Sequence, residues 1–187
     1  MLGGTIVGHY RGAADNVITF LVRHGDAGDK AIWDGPDAGR PLSLAGFSQA
    51  EGLVVRLEDY PVDRILSSPS VRCDQTVQPL AHDRLLPIEP VAALGVDAGL
   101  AEILELFWDR RLDNAVLCTH GETIRQLFRH LTADGLIAPE PLDWPKGSTW
   151  MLHRINQRQF IARYLSPLAL ERPLTVDRLT RQLTSRR

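Results

Sequence analysis

Three short segments hold the residues whose types and order could do chemistry. Arg23-His24-Gly25 follows the apolar run Val17 to Val22, and Ser67-Ser68-Pro69-Ser70-Val71-Arg72 follows Arg64-Ile65-Leu66. His120-Gly121 follows Asn114-Ala115-Val116-Leu117-Cys118-Thr119. Each run reads as a strand, so each motif lies where a strand ends. In an open α/β sheet the carboxyl ends of the strands face one crevice, so two Arg and two His far apart in sequence can converge there. Arg72 would sit in the first turn of a helix and His120 at the start of another, where free N–H groups and the helix dipole favour an anion. Arginine matches phosphate geometry with paired donors and stays charged at any working pH. An unprotonated imidazole can attack phosphorus directly. Taken one at a time, Arg23 and Arg72 fit surface ion pairs and His120 a helix-terminal residue. The ordered set describes a phosphoryl site.

The surrounding pattern supplies the scaffold. Val17 to Val22 is β-rich and apolar almost throughout, as expected for a strand covered on both faces. Gly25 to Pro41 is rich in Gly, Pro and Asp and reads as a loop, in which Trp33 packs down or contacts a ligand. Ser43 caps a helix from Leu44 to about Leu57, with Phe47, Ala50, Val54 and Leu57 on one face. Pro69 suits the first turn of a helix from Ser70 to about Ala81. Leu86 to Glu89 reads as an edge strand, because Pro87 cannot donate to a ladder. Leu100 to about Arg110 and Gly121 to about Leu131 read as helices. After a Pro-rich link from Ala138 to Pro145, strands at Ser148 to His153 and Phe160 to Leu165 form an antiparallel edge. The alternation predicts a three-layer α/β/α fold, its mostly parallel sheet carrying helices on both faces. The expected division is an extension over 1–16, a domain over 17–169 and a charged tail over 170–187.

Composition sets outer bounds. With 187 residues, 44% hydrophobic and 24% charged, the chain is an ordinary globular protein able to bury a core. A net charge of −2 gives no reason to expect nucleic acid or an anionic membrane as partner. No stretch approaches the ~20 apolar residues of a membrane span. Cys73 and Cys118 both lie in or beside apolar segments and read as small buried hydrophobes, so a reducing, cytoplasmic setting is expected. No Cys/His spacing suggests a metal site, and no cofactor is implied. His9, His82, His130 and His153 match no motif and read as surface or packing residues.

The motifs, in this order, resemble those of the histidine phosphatase superfamily, the group containing the cofactor-dependent phosphoglycerate mutases and many acid phosphatases. The resemblance spans about Val17 to Leu165 and rests on Arg23-His24-Gly25, Ser67-Ser68-Pro69 with Arg72 and Gln75-Thr76, and His120-Gly121. Arg40-Pro41-Leu42-Ser43 with Gly46 is similar to the short bacterial phosphohistidine phosphatases and to domains attached to Nudix hydrolases. Lys146-Gly147-Ser148-Thr149-Trp150 is similar to the Nudix-attached domains in particular. The resemblance implies a phosphoglycerate mutase-like fold. It implies that His24 is the phosphorylated nucleophile and that Arg23, Arg72, His120 and Gly121 form the phosphate pocket. Arg40 would position the loop or the substrate, or form a loop ion pair.

The departure from the family pattern lies in the general acid. Many members carry a Glu between the second Arg and the second His; here the matching stretch is Leu94-Gly95-Val96-Asp97-Ala98-Gly99, with Glu102 beyond it. Asp97 is the nearest candidate, and as an N-cap of the following helix it would have a purely structural role. An alkoxide leaving group needs protonation, and a leaving imidazole needs less. Glu122 caps its own helix or touches substrate. The expected activity is therefore hydrolysis of a phosphorylated small molecule, a nucleotide or a phosphohistidine protein. The alternative is a binding or regulatory module with the same pocket and little turnover. A mutase would require substrate-gripping insertions that this short chain lacks. The sequence carries no signal of oligomeric state.

Overall fold

The computed structural model describes residues 17–137, 143–156 and 159–170. The expected N-terminal extension, nearly all of the charged tail and part of the Pro-rich link lie outside them. Among these residues six strands form one sheet: β1 (Val17–Arg23), β2 (Arg64–Ser67), β3 (Ile88–Pro90), β4 (Ala115–Thr119), β5 (Thr149–Asn156) and β6 (Gln159–Leu165), in the spatial order β3-β2-β4-β1-β5-β6. The pairings β2–β3, β2–β4 and β1–β4 are parallel, while β1–β5 and β5–β6 are antiparallel. The sheet is thus parallel through its centre and closes on the expected antiparallel hairpin.

Among the described residues four α-helices cover it: α1 (Leu44–Arg56), α2 (Val71–Arg84), α3 (Leu100–Trp108) and α4 (Gly121–Ala133). The pleat sorts the central strands between two cores, because successive side chains point to opposite faces. Phe20, Val22, Ile65, Val116 and Cys118 pack with Leu53 and Val54 of α1 and Val77 and Leu80 of α2. Leu21, Leu66 and Leu117 pack on the other face with Ile103 and Phe107 of α3 and Ile124, Leu127 and Phe128 of α4. Strands buried on both faces must be apolar almost throughout, which is why β1 and β4 read as nearly continuous hydrophobic runs.

Two helix details differ from the sequence pattern. Phe47 is 41% exposed rather than inward-facing. The buried stripe of α1 runs instead through Gly46, Ala50, Leu53 and Val54 to Leu57, where the missing side chain of Gly46 lets the helix touch the chain beyond β1. A Cβ at Gly46 would lie 2.0 Å from the Asp26 carbonyl oxygen. The second helix continues past Ala81 to Arg84 and stops at Leu85, which adopts a left-handed conformation with φ 56°. No described helix is long and apolar enough to cross a membrane.

Candidate active site

The three motifs converge as the topology requires. His24 follows β1, Ser68 follows β2, and His120 follows β4, at the carboxyl ends of three adjacent parallel strands. The His24 and His120 rings lie with centroids 5.3 Å apart and an interplanar angle of 63°. Arg72 occupies the second position of α2, and His120 is the N-cap residue of α4 without capping it through its side chain. Both imidazoles are buried, as is Arg72, while Arg23 is half-buried.

The hydrogen bonds fix where the protons are. His24 Nδ1 is 2.8 Å from the Gly25 carbonyl, which can only accept, so Nδ1 carries the hydrogen and Nε2 keeps its lone pair. His24 is pushed down to about 3, first by burial and then by the charges of His120, Arg72 and Arg23, against the opposing pull of the Gly25 carbonyl. It is therefore a neutral base with an open Nε2 at any ordinary working pH. His120 is set the other way round. Arg72 Nη2 lies 3.3 Å from its Nδ1 and must donate, which leaves the hydrogen on Nε2, 2.9 Å from Ser68 Oγ.

The two arginines share one informative feature. Arg23 Nε and Arg72 Nε are both buried and have no hydrogen-bond partner among the described residues. Their remaining contacts face other groups: Arg23 Nη1 donates to the Trp144 carbonyl at 2.6 Å, and Arg72 Nη1 to the Asp37 carbonyl at 2.6 Å. Buried donors without partners are costly, so two of them among two imidazoles make this a place suited to an oxyanion. Burial lowers Arg23, opposed chiefly by Glu122. It stays charged all the same, as arginine does in proteins. Gly121 has a steric reason: a Cβ there would stand 3.0 Å from Arg23 Cζ and Nε.

Neighbouring segments brace the nucleophile. Gly25 N–H donates to Thr76 Oγ1 at 2.9 Å, and Thr76 Oγ1 donates to the Arg72 carbonyl at 2.6 Å, tying the turn after β1 to α2. The Gln75 side chain accepts from Leu42 N–H at 2.8 Å. Gly147, with φ +79°, directs its N–H at the Arg23 and His24 carbonyls, and Lys146 Nζ lies 2.7 Å from Asp26. The Lys-Gly-Ser-Thr-Trp segment thus braces the end of β1. Trp33 is partly exposed and donates to the Pro36 carbonyl within its own loop.

Beside the histidine pair lies a cavity of about 560 Å³, lined among others by Lys30, Asp37, Ser68, Asp97 and Glu102. Asp97 sits there in an exposed turn. It does not cap α3. Gly99 is the N-cap residue, and its N–H donates to Glu102 at 2.7 Å. Glu122 lies exposed in the first turn of α4, near enough to Arg23 to raise it. Cys73 and Cys118 are fully buried, and Cys73 Sγ also lies 3.7 Å from His120 Nε2. Among the described residues no group of three His, Cys, Asp or Glu could hold a metal ion.

Sequence reasoning missed Asp37. Its carboxylate is 2.9 Å from Arg40 Nε and 3.0 Å from Arg72 Nη2. The spacing Asp37 to Arg40 was the available signal, since a carboxylate three residues before an Arg in a helical turn can reach it.

Comparison with known proteins places this geometry. Residues 19–105 match the model of the histidine phosphatase superfamily (branch 1). A curated relative from Mycolicibacterium smegmatis, an 8-oxo-(d)GTP phosphatase, is 35% identical in an alignment of 158 residues that covers 82% of this chain. The chain spans about half (49%) of that relative's length. Among solved structures, a protein of Agrobacterium tumefaciens provisionally named phosphohistidine phosphatase SixA is 27% identical, with a TM-score of 0.61 over 83% of this chain and 99% of that one. The protein histidine phosphatase SixA complexed with tungstate shares the fold at 19% identity, with a TM-score of 0.60 over 81% and 96%.

Proposed function

The chain belongs to the histidine phosphatase superfamily, and from that premise we propose that it hydrolyses phosphoryl groups through a covalent intermediate on His24. The observation that carries the reading is the pair of partnerless guanidinium Nε donors beside an imidazole whose Nε2 is unprotonated. His24 Nε2 attacks phosphorus, the bond from phosphorus to the leaving group breaks, and the phosphoryl group passes to the imidazole. Arg23 and Arg72 hold its equatorial oxygens, and the free N–H groups at the start of α4, including Gly121, add to them. His120, its ring centroid 5.3 Å from that of His24, closes the pocket on the other side. Water then attacks the phosphohistidine in line, releasing inorganic phosphate and restoring neutral His24.

The adjoining cavity is the natural seat of the leaving group, and Asp97 on its wall is the candidate acid for an alkoxide. A leaving imidazole would not need it. The M. smegmatis relative and the Agrobacterium structure recommend two substrate classes for assay, 8-oxoguanine nucleotides and phosphohistidine proteins.

Rapid acid-free quenching with radiolabelled substrate tests the mechanism. The wild type should yield an acid-labile, base-stable phosphoenzyme, and His24→Ala should yield none and lose turnover of a chromogenic phosphomonoester. Unchanged turnover in His24→Ala would sink the mechanism. A wild type that retains intact phosphate ligand without forming phosphoenzyme would instead indicate a binding module.

A further inference from the structure

Asp37 lies in the single helical turn Asp37–Gly39, in the loop between β1 and α1. No motif singled it out, yet it gathers more cationic contacts than any other carboxylate near the site. Arg72 approaches it twice, through Nη1 to its carbonyl at 2.6 Å and through Nη2 to Oδ2 at 3.0 Å. Arg40 Nε holds the other carboxylate oxygen, Oδ1, at 2.9 Å. Lys30 Nζ stands 3.8 Å away. Arg40 is itself 8% exposed, and its Nη1 donates to the Ala27 carbonyl at 2.8 Å, three residues beyond His24. A continuous chain of polar contacts therefore runs from the segment after the nucleophile through Arg40, Asp37 and Arg72 to His120.

We propose that Asp37 is a positioning residue for phosphoryl binding: it grips the terminal nitrogens of Arg72 and so presents the guanidinium's Nε to the phosphoryl group. The inference rests on the reading of Arg72 as a phosphate ligand. An arginine side chain carries considerable rotamer freedom, and a guanidinium held before substrate arrives need not lose it during the reaction. The donors that Asp37 occupies are Nη1 and Nη2, whereas the donor without a partner is Nε. Asp37 and the phosphoryl group thus use different parts of one guanidinium. The carboxylate is fixed in turn by Arg40, so it serves as a bracket rather than as a plug that substrate must displace. Its acidity fits this role: burial raises Asp37, but the Arg40 hydrogen bond and the charges of Arg72, Arg40 and Lys30 outweigh burial and hold it below the usual carboxylate range.

The test uses the full chain, a chromogenic phosphomonoester and orthovanadate as inhibitor. Asp37→Ala should lower kcat/KM by about 10- to 100-fold and weaken vanadate inhibition by at least about tenfold, with a lower melting temperature as well because the buried Arg40 Nε loses its acceptor. Asp37→Asn keeps one acceptor and should fall between. It also carries the measurement if the alanine variant folds poorly. Arg40→Ala should act in the same direction, since Arg40 Nε holds the Asp37 carboxylate. Wild-type kinetics in both Asp37 variants, or tighter vanadate binding, would overturn the assignment while leaving the phosphatase reading intact. A wild type with neither turnover nor vanadate binding would overturn both.

Discussion

At Arg72, a guanidinium that cannot give up its proton decides how a neighbouring imidazole is protonated. Because Arg72 Nη2 must donate to His120 Nδ1, His120 holds its hydrogen on Nε2 and gives it to Ser68 Oγ at 2.9 Å. His24 carries the opposite tautomer, fixed by the Gly25 carbonyl. Two histidines in one pocket thus have different roles through their second partners, a distinction no residue pattern contains. The motif Ser67-Ser68-Pro69 marked a turn, and the structure shows that the hydroxyl of Ser68 sets the orientation of His120. Removing that hydrogen bond by Ser68→Ala should cost about 1 kcal/mol of transition-state stabilisation, about a fivefold fall in kcat/KM, with His24 phosphorylation still detectable. Steady-state kinetics beside a phosphoenzyme assay checks this, and unchanged kcat/KM would remove Ser68 from the account.

At the scale of elements, the central strands were legible and the loop was not. Strands β1 and β4 are covered on both faces, so their sequences are nearly continuous apolar runs, and their ends locate His24 and His120. The turn at Asp37–Gly39 has no such period, because a single turn is held by its contacts with Arg40 and Arg72 rather than by a repeating pattern. Phe47 misled for a related reason: hydrophobicity suggested a buried aromatic, whereas close approach demanded small residues at Gly46 and Ala50. Gly46 is where α1 meets the segment carrying the nucleophile. A methyl there would fall 2.0 Å from the Asp26 carbonyl oxygen, and neither backbone can yield without shifting the other. Gly46→Ala should therefore destabilise the fold by about 1–3 kcal/mol or more despite alanine's better helix propensity, read as a lower urea midpoint at unchanged m-value. A midpoint at or above that of the wild type would show that α1 can move away at little cost.

For the whole molecule, the cost of maintaining a buried neutral nucleophile appears as a dependence of stability on pH. The three-layer fold followed from the alternation of elements, but the burial of His24 came only from the convergence of His120 and Arg72 on the end of β1. In the unfolded chain His24 titrates near its ordinary 6.5, while in the native state burial holds it near 3. Between those values the unfolded chain binds a proton that the native protein refuses. Stability from this group is fully present above about pH 6.5 and is lost progressively as pH falls toward 3. Asp26 is also depressed, chiefly by its hydrogen bonds from Lys146 and Ser43, but its contribution is lost only below the ordinary carboxylate range near 3.8. Of these two groups, the histidine is the first to weaken the fold as pH falls. Urea midpoints measured at about pH 7.5 and about pH 4.5 should fall for the wild type, and should fall by clearly less for His24→Asn. Equal slopes in the two proteins would show that His24 is not the group whose burial the fold sustains.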